Sequence, residues 1–275
     1  MDEHMTSARD TTAAEANSVK QCCANLYESD FARLLLGDSF HPGGLALTER
    51  LVEILQLSAG DRVLDVACGK GTTAVFLSQR FGCEVIGIDY SDANVHEASK
   101  QAAKRELASR ICFRQGDAER LPATNGTMTA VFCECSFCTF PSKSDAAHEF
   151  ARVLVPGGKV GISDLTRTGV LPSELEEMLA WAACLGDVQP VESYCAYLTA
   201  SGMRVDCIEH HNDALLNMVD EVRKKLLGAE LLVGLQKLSI PGADFASAKR
   251  IANAAMAAIQ DGKLAYVLIG ATKVT

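Results

Sequence analysis

Apolar and polar positions along the 275-residue chain fall into segments of two periods. Apolar residues recur at helical spacing over residues 17–36, which end at Gly37, and again over residues 46–57. The loop Ser39-Phe40-His41-Pro42-Gly43-Gly44 joins these two helices. Residues 1–16 are polar and aperiodic and read as a disordered tail. From Arg62 onward, short runs rich in Val, Ile, Leu and Phe predict strands at 62–66, 84–89, 111–115, 129–135 and 159–164. Amphipathic stretches at 72–80, 92–108 and 144–154 predict helices between most of them. Helices at 171–185 and 191–200 follow, then a strand at 204–210 and a last strand at 264–272. Residues 212–262, between those last two strands, read as two helices, 219–238 and 246–260, around a Pro241-Gly242 turn. Strands alternating with helices in this way predict an α/β fold built on a mostly parallel sheet.

Composition narrows the class. With 48% apolar residues, 22% charged residues and a mean hydropathy of +0.09, the chain has the make-up of a globular protein, which excludes wholesale disorder. A net charge of −9 gives no general attraction for phosphate backbones, and basic residues cluster only in short pairs such as Lys224-Lys225. A nucleic-acid partner is therefore not expected. No uninterrupted apolar span of ~20 residues is present, and residues 1–16 are too polar for a signal peptide. The expectation is a cytoplasmic protein that does not engage a membrane. Eleven cysteines, an odd number, point to a reduced compartment in which thiols serve packing, metal binding or chemistry.

Candidate chemistry starts where the first predicted strand runs into a helix through Val63-Leu64-Asp65-Val66-Ala67-Cys68-Gly69-Lys70-Gly71. Small residues there let backbone approach a ligand, and the helix N-terminus offers free N–H groups. Gly69-Lys70-Gly71-Thr72-Thr73-Ala74 also satisfies the dinucleotide pattern G-x-G-x-x-G/A, so the loop alone does not discriminate. Asp65 does, because a carboxylate at this strand end suits an ammonium group and not a pyrophosphate. Asp89 closes the second strand, where an acidic residue accepts hydrogen bonds from ribose hydroxyls. Asp117-Ala118-Glu119 follows the third strand, in a place suited to bonding an adenine amine.

Over residues 46–203 this constellation, with Val155-Pro156-Gly157-Gly158-Lys159 entering the fifth strand, resembles the class I S-adenosylmethionine-dependent methyltransferases. The resemblance implies a Rossmann-like, seven-stranded, mostly parallel sheet, to which the residue pattern adds N-terminal helices and a helical insertion before the last strand. It divides the chain into a tail (1–16), an N-terminal lid (17–58), a cofactor-binding domain (59–211 and 263–275) and a helical insertion (212–262). It also implies S-adenosyl-L-methionine as cofactor. The residues in contact would be Asp65, Ala67, Cys68, Gly69, Gly71, Asp89, Tyr90, Asp117, Ala118, Glu119 and Glu134. Ala67 stands where many members carry glycine.

The cysteines suggest a substrate. The fourth strand ends Val131-Phe132-Cys133-Glu134-Cys135, followed by Ser136-Phe137-Cys138, and strand alternation puts Cys133 on the face of Cys135. With Trp181-Ala182-Ala183-Cys184-Leu185-Gly186, this stretch resembles the arsenite methyltransferases. That resemblance implies trivalent arsenic as a small metalloid substrate held by Cys135, Cys184 and either Cys22 or Cys23. A thiol reductant such as glutathione or thioredoxin would be its partner. Three soft thiolates suit such a centre and aim its lone pair for in-line attack on the sulfonium methyl. Cys68, Cys83, Cys112 and Cys207 read as core fillers and Cys195 as helix packing. His41 reads as a solvent-exposed turn histidine. Other functions fit parts of the pattern: a small-molecule O-, N- or C-methyltransferase with an organic acceptor, a methyltransferase for another soft element such as selenium or tellurium, a nicotinamide oxidoreductase using the same loop, and a thiol-rich metal-binding or redox-sensing module.

Overall fold

The computed structural model describes residues 18, 20–21, 41–175, 187–235 and 244–274. Among them, strands β1 (Arg62–Val66), β2 (Glu84–Asp89), β3 (Ile111–Gln115), β4 (Met128–Glu134), β5 (Leu154–Arg167), β6 (Met203–His210) and β7 (Leu264–Lys273) form one sheet. Their order is β3-β2-β1-β4-β5-β7-β6. Strands β1 to β5 pair in parallel, and β7 runs antiparallel to both β5 and β6. The order reverses between β1 and β4, so a crevice opens beyond their carboxyl ends. The seven-stranded, mostly parallel architecture expected from the sequence is present.

Local pattern and tertiary pairing share control of the boundaries. Strands β1, β2 and β3 begin and end where the apolar runs do, because each run is closed by a turn. Strand β5 extends well past 159–164 because β7 pairs with it from Lys159↔Thr272 to Arg167↔Leu264. Helices α1 (Gly44–Leu55), α2 (Thr72–Phe81), α3 (Asp92–Lys104), α4 (Lys143–Val153) and α5 (Val191–Ala200) match predicted helices. Helix α3 stops short of residue 108, where Glu106 takes a left-handed backbone with φ 59°. Helix α6 (Asn212–Gly234) begins at Asn212 and not at 219. Its first residues are tied to β7, with Tyr266 N donating to Asn212 Oδ1 at 3.1 Å and His211 N donating to Tyr266 O at 2.8 Å. Helix α7 (Phe245–Gln260) completes the insertion. Of the helix predicted at 171–185, Leu171 and Pro172 are not helical and Ser173–Leu175 are; residues 176–185, most of the 17–36 helix and the Pro241-Gly242 turn lie outside the described residues.

Helix α1 lies close against the sheet because two glycines make room for it. Gly161 on β5 and Gly270 on β7 face each other in register. A Cβ at Gly161 would stand 2.8 Å from Leu51 Cγ and Leu55 Cδ1, and one at Gly270 would stand 2.6 Å from Ile54 Cγ2. Leu51 and Leu55 are buried in this contact. Lys159 Nζ donates to Leu55 O at 2.7 Å and so closes the helix C-terminus onto β5. The opposite end of α1 delivers His41 and Thr48 to the crevice. Gly161→Ala is expected to push α1 off the sheet and lower stability by about 1–3 kcal/mol, the cost of overpacking, measured by urea unfolding.

Candidate active site

The crevice is a pocket whose walls come from the carboxyl ends of β1, β2 and β4 and the loops that follow them. Of the cofactor residues expected from the sequence, Asp65, Ala67, Cys68, Gly69, Asp89, Tyr90, Asp117, Ala118 and Glu134 line it. Two others do not. Gly71 caps α2 with φ 77°, and a Cβ there would lie 2.5 Å from Phe113 Cζ, so glycine is needed for packing behind the loop. Glu119 is turned to the protein, accepting from Ser142 N at 2.6 Å and from Lys20 Nζ.

Three buried carboxylates dominate the electrostatics. Asp89 Oδ2 accepts from Gly69 N at 2.8 Å, and its Oδ1 accepts from Ser91 N at 2.9 Å and Asn94 Nδ2 at 3.3 Å, which fixes the glycine loop against β2. Glu134 accepts from Thr73 Oγ1 at 2.6 Å and from Thr48 Oγ1 at 3.1 Å, joining α1 and α2 to β4. Asp65 is the least satisfied, because its Oδ2 has no hydrogen-bond partner. Burial, followed by the charges of Glu134 and Asp89, holds its carboxyl well above the usual carboxylate range. A cation placed here would relieve both defects. At the other end Asp117 accepts from Lys20 Nζ at 2.7 Å.

The thiols do not act as one group. Cys135 lines the pocket, whereas Cys133 is fully buried with its thiol 3.1 Å from Ser136 Oγ. Cys135 lies one residue past the end of β4 with φ 51°, so strand alternation does not carry over to it, and the shared face expected for the two is not formed. Cys138 is buried, and its N–H donates to Asp164 Oδ2 at 2.9 Å. Burial first, then the Asp164 and Glu134 carboxylates, push the Cys135 thiol up well above its ordinary value, so it is protonated at neutral pH. Cys68 and Cys83 are buried as expected, but Cys112 is exposed and Cys207 half-buried, which corrects their reading as core fillers. Cys112 stands at an outward position of β3, and Cys207 lies on the half-buried face of β6; both strands are edges of the sheet. Cys22, Cys23 and Cys184 lie outside the described residues.

His41 departs most from its sequence reading. Its side chain is 8% exposed and lines the pocket, with Nε2 3.8 Å from Glu134 Oε2. The close seat of α1, invisible in the loop sequence, turns it inward.

Residues 63–158 match the family described as "Methyltransferase domain". Among curated relatives, the 27-O-demethylrifamycin SV methyltransferase of Amycolatopsis mediterranei is 30% identical over 166 residues, 59% of this chain and 61% of that protein. The arsenite methyltransferase of Halobacterium salinarum is 28% identical over 149 residues, 53% of this chain and 38% of that protein. Of both proteins the chain spans less than two thirds. The solved structure of Haemonchus contortus phosphoethanolamine N-methyltransferase 2, with phosphomonomethylethanolamine and S-adenosylhomocysteine, is alike in fold, with a TM-score of 0.79 at 19% identity over 94% of this chain and 60% of that one. Reversed strand order and a glycine loop pinned by the acidic end of β2 give the chain the class I methyltransferase fold, within which residues 63–158 match a methyltransferase domain. The same Haemonchus contortus protein is also solved with S-adenosyl-L-methionine, the cofactor that such a domain takes.

Two substitutions probe the pocket walls. Ala67, at the end of β1, holds a left-handed backbone with φ 57°. Ala67→Gly is expected to raise stability by about 0.5–1 kcal/mol, the strain relieved less the entropy of the added glycine, as read by urea unfolding. Asp89→Ala should weaken S-adenosylhomocysteine binding by about 1.5–3 kcal/mol through loss of a charged acceptor, measured by calorimetry. Unchanged affinity would remove Asp89 from the ribose site.

Proposed function

We propose that the chain is an S-adenosylmethionine-dependent methyltransferase whose acceptor is a small organic molecule, bound where Cys135, Thr139 and Phe140 line the pocket. The observation carrying this choice is that Cys133 and Cys138 are buried, with the Cys133 thiol turned to Ser136, so that among these three only Cys135 faces the pocket, beside Thr139 and Phe140. One thiol packs readily against a carbon skeleton, whereas holding trivalent arsenic in one direction calls for two or three thiolates together. Relatives named for a rifamycin, a sterol and phosphoethanolamine support the same reading.

When bound, S-adenosylmethionine supplies a methyl group on a positively charged sulfur. Asp89 is placed to accept from the ribose hydroxyls and Asp117 from the adenine amine. Asp65, with its unpartnered oxygen, is placed to accept from the α-ammonium group. Phe140 and Cys135 keep water from the acceptor side and hold the nucleophile in line with the methyl group.

A second reading, methylation of thiol-bound arsenite, is favoured by the presence of Cys135 in the pocket and by the arsenite methyltransferase among the relatives. Cys184 and either Cys22 or Cys23 would complete its ligand set, and glutathione or thioredoxin would return the electrons that arsenic gives up. Methyl-tritiated S-adenosylmethionine separates the two. The purified protein is given either arsenite with glutathione or the small-molecule fraction of a cell extract. Label is expected in an organic product from the extract, with Cys135→Ser retaining more than about a tenth of that turnover, since serine nearly matches cysteine in size. Label in methylated arsenic, abolished by Cys135→Ser, would replace the organic reading with the metalloid one.

A further inference from the structure

The methionyl end of the methyl donor carries an α-carboxylate as well as an α-ammonium group, and the pocket is poorly disposed towards the former. Asp65, Asp89 and Glu134 all present carboxylates to it. An incoming carboxylate therefore needs a hydrogen-bond donor that the protein has not already used. Several nearby donors are committed: Gly69 N–H to Asp89, the Thr73 hydroxyl to Glu134, and Lys20 to Asp117 and Glu119 at the far end.

His41 is not committed. Both ring nitrogens are buried, and neither has a hydrogen-bond partner. Unpaired buried imidazole nitrogens are rare unless a ligand completes them. The ring is nevertheless fixed in place. Its loop is closed by Gly44 N donating to His41 O at 3.2 Å and leads directly into α1, which the Gly161–Gly270 floor holds against the sheet. Glu134, anchored by Thr48 and Thr73, stands beside the ring.

We propose that His41 binds the α-carboxylate of the methyl donor's methionyl tail, donating from a ring N–H, while Asp65 accepts from the α-ammonium. The two orphaned groups of the pocket are then completed by the two ends of one zwitterion. The N-terminal loop thereby becomes part of the cofactor site. This assignment rests on the domain using S-adenosylmethionine, and the test separates the two claims.

Calorimetry on the full chain compares S-adenosylmethionine with its decarboxylated analogue, which keeps the sulfonium and the ammonium but lacks the carboxylate. Wild-type protein is expected to prefer the intact molecule by about tenfold to a hundredfold, the worth of one hydrogen bond to a charged group. His41→Leu and His41→Ala should abolish most of that preference while binding the decarboxylated analogue within about threefold of wild type. Equal weakening of both ligands would mean that His41 only supports the loop, and an undiminished preference would place the carboxylate elsewhere; either overturns the assignment. Failure of wild-type protein to bind either ligand would instead remove the cofactor itself.

Discussion

Three carboxylates buried side by side, Asp65, Asp89 and Glu134, impose the constraint around which the site is organised. Charge in a low-dielectric interior is tolerable only where donors surround it. Asp89 recruits the glycine loop and the N-terminus of α3, and Glu134 recruits hydroxyls from α1 and α2. Each carboxylate thus binds a helix or loop to a strand end. Asp65 is left with one oxygen that has no hydrogen-bond partner among the described residues.

The same constraint explains why the N-terminal part of the chain bears on the pocket. Thr48 reaches Glu134 only because α1 lies against paired glycines on β5 and β7, an approach that any Cβ would block. Lys159 and the exposed Arg50–Glu209 pair then hold the helix at its carboxyl end and along its outer face. Backbone strain collects at the strand ends that meet the ligand, with Ala67 and Cys135 both left-handed and both lining the pocket.

Much of this was legible in the residues. Asp65, Asp89 and Asp117 were picked out because each stands at the end of a short apolar run, and strand ends in an open α/β sheet converge on one crevice. The cysteines were over-read for a related reason. Cys133-Glu134-Cys135 reads in the sequence as a continuing alternating strand, but the chain turns left-handed at Cys135 and sends the two thiols into different surroundings. Strands β3 and β6 are the edges of the sheet, so Cys112 and Cys207 are less buried than cysteine usually is.

The sequence by itself determined the fold class, the strands β1 to β3 and the acidic strand ends that line the pocket. These depend on local periodicity and on where apolar runs stop. Tertiary structure alone decided the length of β5, the start of α6 and the burial of His41. The first two depend on hydrogen bonds to β7, a strand more than a hundred residues after the start of β5 and more than fifty after that of α6. His41 is decided by a helix seated on a glycine pair whose members lie far apart in the chain and meet only in the sheet. No local pattern around a His-Pro-Gly-Gly loop records a contact made at such distance, because it is the sheet, and not the loop, that creates the space the imidazole occupies.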